Sequence, residues 1–133
     1  MYRSFAIVSA LALSLASASA IAAPSRKAQD RILPGVVDGS AARQLVADGV
    51  KVVDVRTPEE FASGHVPGAV NIPYDQLPAR AGELGAPSTP ILVYCRTGRR
   101  SGVAAQTLRE KGFTRLWDLQ AYDRWLASAP PAK

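Results

Sequence analysis

The stretch ILVYCRTGRRSG, residues 91–102, contains Cys95, the only cysteine in the chain. The apolar run at residues 90–94 predicts a buried central strand. The pattern SGVAAQTLREKG that follows it predicts a helix that begins near Ser101. Gly98 lies between the two elements and permits the positive φ that a tight turn often needs. The stretch therefore predicts a thiol at the junction of a strand, a short loop and a helix.

Strand and helix patterns alternate along the rest of the chain. Further short strands are predicted at residues 36–38, 50–55, 68–73 and 113–119, of which 50–55 is rich in β-branched residues. Helical patterns occupy residues 40–49, a segment opened by Thr57, parts of 74–85 with a break at Pro78, and 121–129. Thr57, with Pro58 in the first turn and Glu60 three residues on, predicts a capping box. This alternation predicts an α/β fold, with a parallel sheet covered by helices on both faces.

The length of 133 residues suits one domain with a modest core. Residues 24–34 are polar with prolines at both ends, and they predict a linker or an extended arm. The predicted boundaries are a linker at residues 24–32, a domain at 33–127 and a C-terminal tail at 128–133.

Residues 1–23 have the order of a secretory signal peptide: Arg3, then an apolar stretch at residues 5–15, then small residues. The alternative is an uncleaved membrane anchor, because residues 5–23 carry no charge. Serines dilute that segment, and its strongly apolar part is only about 11 residues long, which is typical of a signal core. We therefore expect a periplasmic or secreted protein without stable membrane association after cleavage.

The formal net charge is +5, and the basic residues are spread along the chain except at Arg96, Arg99 and Arg100. Nucleic-acid binding would require a longer basic stripe with interleaved aromatic residues. The cluster therefore predicts a local site for a small anion and no nucleic-acid partner.

Cys95 has two interpretations. A lone cysteine can be a small buried apolar residue. In an exported protein, however, an unpaired thiol is exposed to oxidation, so its presence suggests a functional role. Ligands of an open parallel sheet bind beyond the carboxyl ends of its strands, where Cys95 is predicted to lie. A loop that turns into a helix N-terminus directs N–H groups inward and, with nearby arginines, favours the thiolate. We therefore predict that Cys95 is a nucleophile.

Other cysteine chemistry fits the sequence poorly. There is no second cysteine for a redox pair, and Cys95 with His65 gives too few ligands for a zinc site, so we predict no metal. A cysteine protease would need His65 as its base, but the neighbouring Gly64, Pro67 and Gly68 indicate a turn and a mainly structural histidine. No cofactor is expected.

Two motifs carry a resemblance to a known family. DVRTPEEFASGHVPGAVNIP (54–73) followed by YCRTGRRSG (94–102) resembles a single-domain rhodanese over residues 33–127, most of all the exported phage-shock type of thiosulfate sulfurtransferase. The resemblance implies a five-stranded, mainly parallel sheet. It also implies that Cys95 takes a sulfane sulfur from a small anionic donor such as thiosulfate, releasing sulfite. The persulfide then passes its outer sulfur to a thiophilic acceptor such as cyanide or a thiol.

The resemblance also suggests roles for the residues around the cysteine. Backbone N–H groups of residues 96–100 are expected to cradle donor and persulfide. The predicted substrate-binding residues are Arg96, Thr97, Gly98, Arg99 and Arg100. Among these side chains Arg96 and Arg100 are favoured for donor binding, while Arg99 either binds or is solvated. Asp54 and Arg56 are interpreted either as scaffold or as substrate contacts.

One segment departs from the family pattern. Where relatives often have a Gly-Gly pair before the last aromatic helix, this chain has Leu119, Gln120, Ala121 and Tyr122. Because of this departure, the sequence does not determine the structure at the local end of the sheet or at the pocket rim. Trp125 is expected to pack the last helix onto the core.

Two rival functions remain open. Phosphatases and arsenate reductases of this fold place an arginine six residues after the cysteine, but here that position is Ser101, and Arg100 comes one place earlier. The other rival is a non-enzymatic persulfide carrier or partner-binding module. The physiological donor and acceptor, the oligomeric state and the cleavage site are not determined by the sequence.

Overall fold

The computed structural model describes residues 27–130. The predicted signal peptide, residues 24–26 of the predicted linker and residues 131–133 of the predicted tail lie outside this range. Within it, no helix has both the length and the apolar character that crossing a membrane requires.

Five strands form one sheet in the order β1-β5-β4-β2-β3, and all four pairings are parallel. The strands are β1 Gly35–Val36, β2 Lys51–Asp54, β3 Val70–Asn71, β4 Ile91–Cys95 and β5 Leu116–Ala121. The predicted central strand is confirmed, because β4 lies between β2 and β5. Cys95 is the last residue of β4, so the predicted position of the thiol at the carboxyl end of the sheet is also confirmed.

The helices cover both faces of the sheet, as predicted. They are α1 Ala28–Arg31, α2 Gly39–Ala47, α3 Pro58–Ala62, α4 Leu77–Arg80, α5 Arg99–Glu110 and α6 Tyr122–Ala127, with a 3₁₀ helix at Ala81–Leu84. One core cluster joins the sheet to α4, the 3₁₀ helix and α5. The other joins it to α1, α2 and α6, and Trp125 packs there as expected.

The residues of β4 alternate between these two clusters. Ile91, Val93 and Cys95 belong to the cluster under α5, whereas Leu92 and Tyr94 belong to the cluster under α2 and α6. All five are fully buried, which explains why this strand has an uninterrupted apolar sequence. Cys95 and Tyr94 consequently point to opposite faces of the sheet.

Three local predictions need correction. Residues 28–31 form a short helix instead of an extended arm, because Ala28 is buried and its N–H bonds to the side chain of Asp48. Pro78 does not break a helix: it lies in the first turn of α4, where a missing N–H costs nothing. Helix α5 begins at Arg99, two residues earlier than predicted, because Gly98 with φ 104° is its N-cap.

The end of β5 is irregular at the segment that departs from the family pattern. The pairing of β4 with β5 shifts by one residue, so that Val93 is opposite Asp118 while Tyr94 is opposite Gln120. Gln120 has φ 71°, which makes it the one non-glycine residue with positive φ among residues 27–130. A side chain in this conformation is strained, which explains why glycine is favoured at such a position.

We expect Gly39→Ala to destabilise the fold. A Cβ at Gly39 would overlap the carbonyl oxygen of Arg124 and lie 2.7 Å from the Cβ of Ser128, so α2 and α6 would have to separate. The expected loss is about 1–3 kcal/mol in the free energy of unfolding, measured by urea denaturation. Gly102→Ala is the matched control, since no atom lies within 4 Å of the added methyl group in α5. A Gly39→Ala variant as stable as this control would contradict the prediction.

Candidate active site

Cys95 lies at the carboxyl end of β4 with no accessible surface. Its sulfur accepts a hydrogen bond from the backbone N–H of Gly98 at 3.0 Å. The positive φ of Gly98 turns the loop so that this N–H points back to the sulfur.

Other N–H groups of the loop have no hydrogen-bond partner within the part of the chain that the structure describes. Among residues 27–130, the amides of Arg96, Thr97, Arg99 and Arg100 donate no hydrogen bond. The last two belong to the first turn of α5, where the helix leaves its N–H groups free. The loop therefore leaves several N–H groups available to an anion, and their predicted role in binding donor and persulfide stays a prediction.

The three arginines of the loop differ in their surroundings. Arg96 and Arg99 are exposed. Arg100 is paired with Glu60 of α3, and its two terminal nitrogens lie 2.7 Å and 3.0 Å from the two carboxylate oxygens. The hydrogen bonds from Arg100 lower the pKa of Glu60 to about 2, and those to Glu60 raise the pKa of Arg100. The donor-binding role of Arg100 stays a prediction, because in this structure Glu60 occupies its guanidinium.

Glu60 is the site residue that the sequence analysis missed. It lines, with the loop, a cleft of about 490 Å³ whose other residues are Arg96, Thr97, Arg99 and Arg100. The predicted capping box of Thr57 and Glu60 is confirmed. Because the capping box gave Glu60 a structural role, no second role was sought for it. Glu60 and Arg100 lie 40 residues apart, so local spacing gave no signal of their contact.

Asp54 and Arg56 form a buried ion pair behind the loop. The two side chains meet at 2.5–3.0 Å, and Arg56 also donates to the carbonyl oxygen of Gly64 at 2.7 Å. Burial opposes the charge of Arg56, but the hydrogen bonds and charge of Asp54 outweigh it, so the pKa of Arg56 is raised. Both groups are satisfied by protein partners, which favours the scaffold interpretation.

Tyr94 connects this pair to β4. Its hydroxyl donates to Asp54 at 2.7 Å and accepts from the N–H of Val66 at 3.0 Å. Burial is the main cause that raises the pKa of the Tyr94 hydroxyl, so the group stays protonated and can donate. The guanidinium of Arg56 lies 5.4 Å from the ring of Tyr94 and 4.7 Å from that of Tyr122. The residue preceding Cys95 is thus held by a connected polar network.

His65 has a structural environment. Its Nδ1 lies 2.9 Å from the carbonyl oxygen of Phe61, and because a carbonyl can only accept, Nδ1 is the donor. The imidazole also stacks on the ring of Phe61, with centroids 3.7 Å apart. Both contacts fix the turn that follows α3 and support the structural interpretation of His65.

Gln120 forms the opposite wall of the cysteine loop. A Cβ added to Gly98 would lie 3.1 Å from the Cβ of Gln120, so the two segments are in close contact. The N–H of Gln120 donates to Asp118 at 2.8 Å. The nonglycine segment therefore forms part of the pocket rim beside Gly98.

Residues 27–130 contain no group of three or more His, Cys, Asp or Glu side chains placed to hold a metal ion.

Comparison with known proteins gives consistent matches. The rhodanese-like domain model matches residues 39–128. The chain is 34% identical over 119 residues to the Arabidopsis thaliana protein named thiosulfate sulfurtransferase 16, chloroplastic, covering 80% of this chain and 98% of that protein. It is 40% identical over 65 residues to thiosulfate sulfurtransferase PspE of Escherichia coli, covering 48% of this chain and 62% of that protein.

The solved structures agree with the sequence matches. The human single-domain sulfurtransferase TSTD1 has a TM-score of 0.62 and 31% identity, covering 71% of this chain and 96% of that one. The family model alone spans more than half of this chain, and the five-stranded parallel sheet has the expected α/β form. The chain belongs to the rhodanese-like domain family.

Proposed function

We propose that this protein is a sulfurtransferase that moves sulfane sulfur from thiosulfate, or a similar small anionic donor, to a thiophilic acceptor through a persulfide on Cys95. The observation that carries the proposal is the sulfur of Cys95 at the carboxyl end of β4, with the N–H of Gly98 directed at it at 3.0 Å. The relatives named as thiosulfate sulfurtransferases support the choice of donor.

The proposed reaction has two displacements at sulfur. The Cys95 thiolate attacks the outer sulfur of thiosulfate; a new S–S bond forms, the S–S bond of the donor breaks, and sulfite leaves with the electron pair. An acceptor such as cyanide then attacks the outer sulfur of the persulfide, forming thiocyanate and restoring the thiolate. Splitting the transfer in this way is nucleophilic catalysis.

The loop amides stabilise the anions in both steps. The N–H of Gly98 bonds the attacking sulfur, and the free amides of Arg96, Thr97, Arg99 and Arg100 are available to the donor and to the charged persulfide. Cys95 has no accessible surface, so part of the loop has to move as the donor enters.

The loop geometry disfavours phosphatase chemistry. Arg100 comes five residues after Cys95 and is directed to Glu60. A phosphate bound there would meet a carboxylate instead of a free guanidinium.

We also propose that the protein acts outside the cytoplasm, on the basis of the signal-like pattern of residues 1–23. N-terminal sequencing of the protein recovered from the extracytoplasmic fraction tests this. A first residue between positions 21 and 24 is expected, and an intact N-terminus in the membrane fraction would refute it.

Intact-mass measurement tests the proposed chemistry. Wild-type protein incubated with thiosulfate is expected to gain about one sulfur atom, and cyanide is expected to remove it. Alkylating Cys95 beforehand is the control and should block the gain. Folded protein that never carries the adduct would refute the proposal. An adduct that only one protein partner discharges, while cyanide and small thiols do not, would indicate a carrier instead.

A further inference from the structure

Glu60 places a negative charge beside a loop built for anions. Its carboxylate lines the cleft with Arg96, Thr97, Arg99 and Arg100. The side chains of Glu60 and Arg100 are 27% and 17% exposed, so solvent screens the pair incompletely. Both carboxylate oxygens of Glu60 accept hydrogen bonds from Arg100. The negative charge of Glu60 therefore offsets the positive charge of Arg100 at the place where an anionic donor would bind.

The start of α3 does not require this charge. Glu60 completes the capping box by accepting from the N–H and the hydroxyl of Thr57 at 3.3 Å and 3.2 Å. Glutamine can make the same bonds at that helical position. A neutral residue would therefore serve the helix as well, and the charge of Glu60 has its effect in the cleft.

A carboxylate in this position distinguishes donors by their charge. The repulsion that it exerts is about twice as large for a dianion as for a monoanion at the same place. The remaining cations of the cleft, Arg96 and Arg99, are exposed and make no ion pair within residues 27–130, so water and salt weaken their attraction.

We infer that Glu60 is a specificity-determining residue that favours monoanionic sulfane donors, such as thiosulfonates and persulfides, over dianionic thiosulfate. The inference rests on the proposed function and concerns the charge of its donor. A thiosulfonate reacts by the same displacement: Cys95 forms an S–S bond with the outer sulfur, the donor's sulfur–sulfur bond breaks, and the sulfinate leaves with the electron pair.

The test compares two donors that differ by one charge, thiosulfate and methanethiosulfonate, by their kcat/KM values with cyanide as acceptor. Glu60→Gln should raise kcat/KM for thiosulfate roughly three- to tenfold more than for methanethiosulfonate. The gain should lie mainly in KM and should shrink as salt is added. A Glu60→Gln variant with an unchanged donor ratio would refute the inference.

A double-mutant cycle separates charge from positioning. Arg100→Ala leaves Glu60 unpaired and should discriminate further against thiosulfate, whereas Glu60→Gln with Arg100→Ala restores the net charge of the pair. The double variant should therefore return the donor ratio to within about twofold of wild type. If the double variant behaves like Arg100→Ala, Glu60 merely positions Arg100 and the charge interpretation is wrong.

Glu83→Gln is the matched control. Glu83 also pairs with an arginine, Arg80 at 2.7 Å, but it belongs to the 3₁₀ helix whose Leu84 carbonyl bonds to Lys51 at the amino end of β2, away from the loop. Its donor ratio should equal that of wild type. A shift as large as that of Glu60→Gln would show a general charge effect and refute the inference. Wild-type protein that reacts with neither donor would instead refute the proposed function.

Discussion

Cys95→Ser is expected to abolish sulfur transfer from thiosulfate to cyanide while the protein stays folded. A serine oxygen cannot form the S–S bond that stores the transferred sulfur, so kcat/KM should fall at least about a thousandfold, or roughly 4 kcal/mol in the barrier. Steady-state formation of thiocyanate measures the loss. Because the chain has one cysteine, no second thiol can take over.

Stability measurements separate chemistry from packing in this variant. The serine is smaller than the cysteine of the α5 core cluster and keeps an acceptor for the N–H of Gly98, so a loss of about 1 kcal/mol in unfolding free energy is expected. Cys95→Ala serves as the control that lacks the acceptor. A Cys95→Ser protein that retains more than about one hundredth of wild-type activity would contradict the persulfide mechanism.

Arg56→Met is expected to destabilise the protein by about 3–5 kcal/mol, because it leaves the carboxylate of Asp54 buried without its cation. Asp54 has no accessible surface, and Tyr94 and the N–H of Arg56 are the partners that remain. The free energy of unfolding from urea denaturation at neutral pH measures the loss.

Two variants make this prediction specific. Arg115→Met removes an arginine from an exposed pair, in which Asp30 is 53% exposed, and should change stability by less than about 1 kcal/mol. Adding Asp54→Asn to Arg56→Met should recover part of the loss, since the buried charge is then gone. Equal losses for Arg56→Met and Arg115→Met would show that the buried pair has no special role.

The elements nearest the cysteine were the most predictable from the sequence. The run at 90–94 is apolar at every position because both faces of β4 are covered, and only a central strand has that environment. Gly98 marked the turn because its φ of 104° is unfavourable for other residues. The capping box at Thr57 is likewise local, since both partners lie within one helical turn.

Features that depend on distant contacts were not predictable. The helix at residues 28–31 forms because Ala28 meets Asp48, 20 residues away, whereas its own sequence is polar and proline-flanked. A proline such as Pro78 can either break a helix or lie in its first turn. Here it lies in the first turn of α4, which the burial of the neighbouring Leu77 holds against the core. The Glu60–Arg100 pair joins α3 to α5, so no pattern in either segment reveals it.

The charge of the candidate site was predictable only in part for the same reason. A thiol, a glycine and clustered arginines within six residues indicate an anion site wherever they occur at the end of a strand. The charge that the donor meets also depends on which arginine is already paired, and that is a property of the folded protein.

The complete burial of Cys95 has a consequence for the protein's behaviour towards oxidants. A disulfide requires two sulfurs about 2.05 Å apart and Cβ atoms within about 4.5 Å, an approach that two copies of this domain cannot make while the loop covers the sulfur. Covalent cross-linking of one copy to another is thereby prevented by shape alone. The fold therefore protects a solitary thiol from being consumed by pairing with a second copy of the chain.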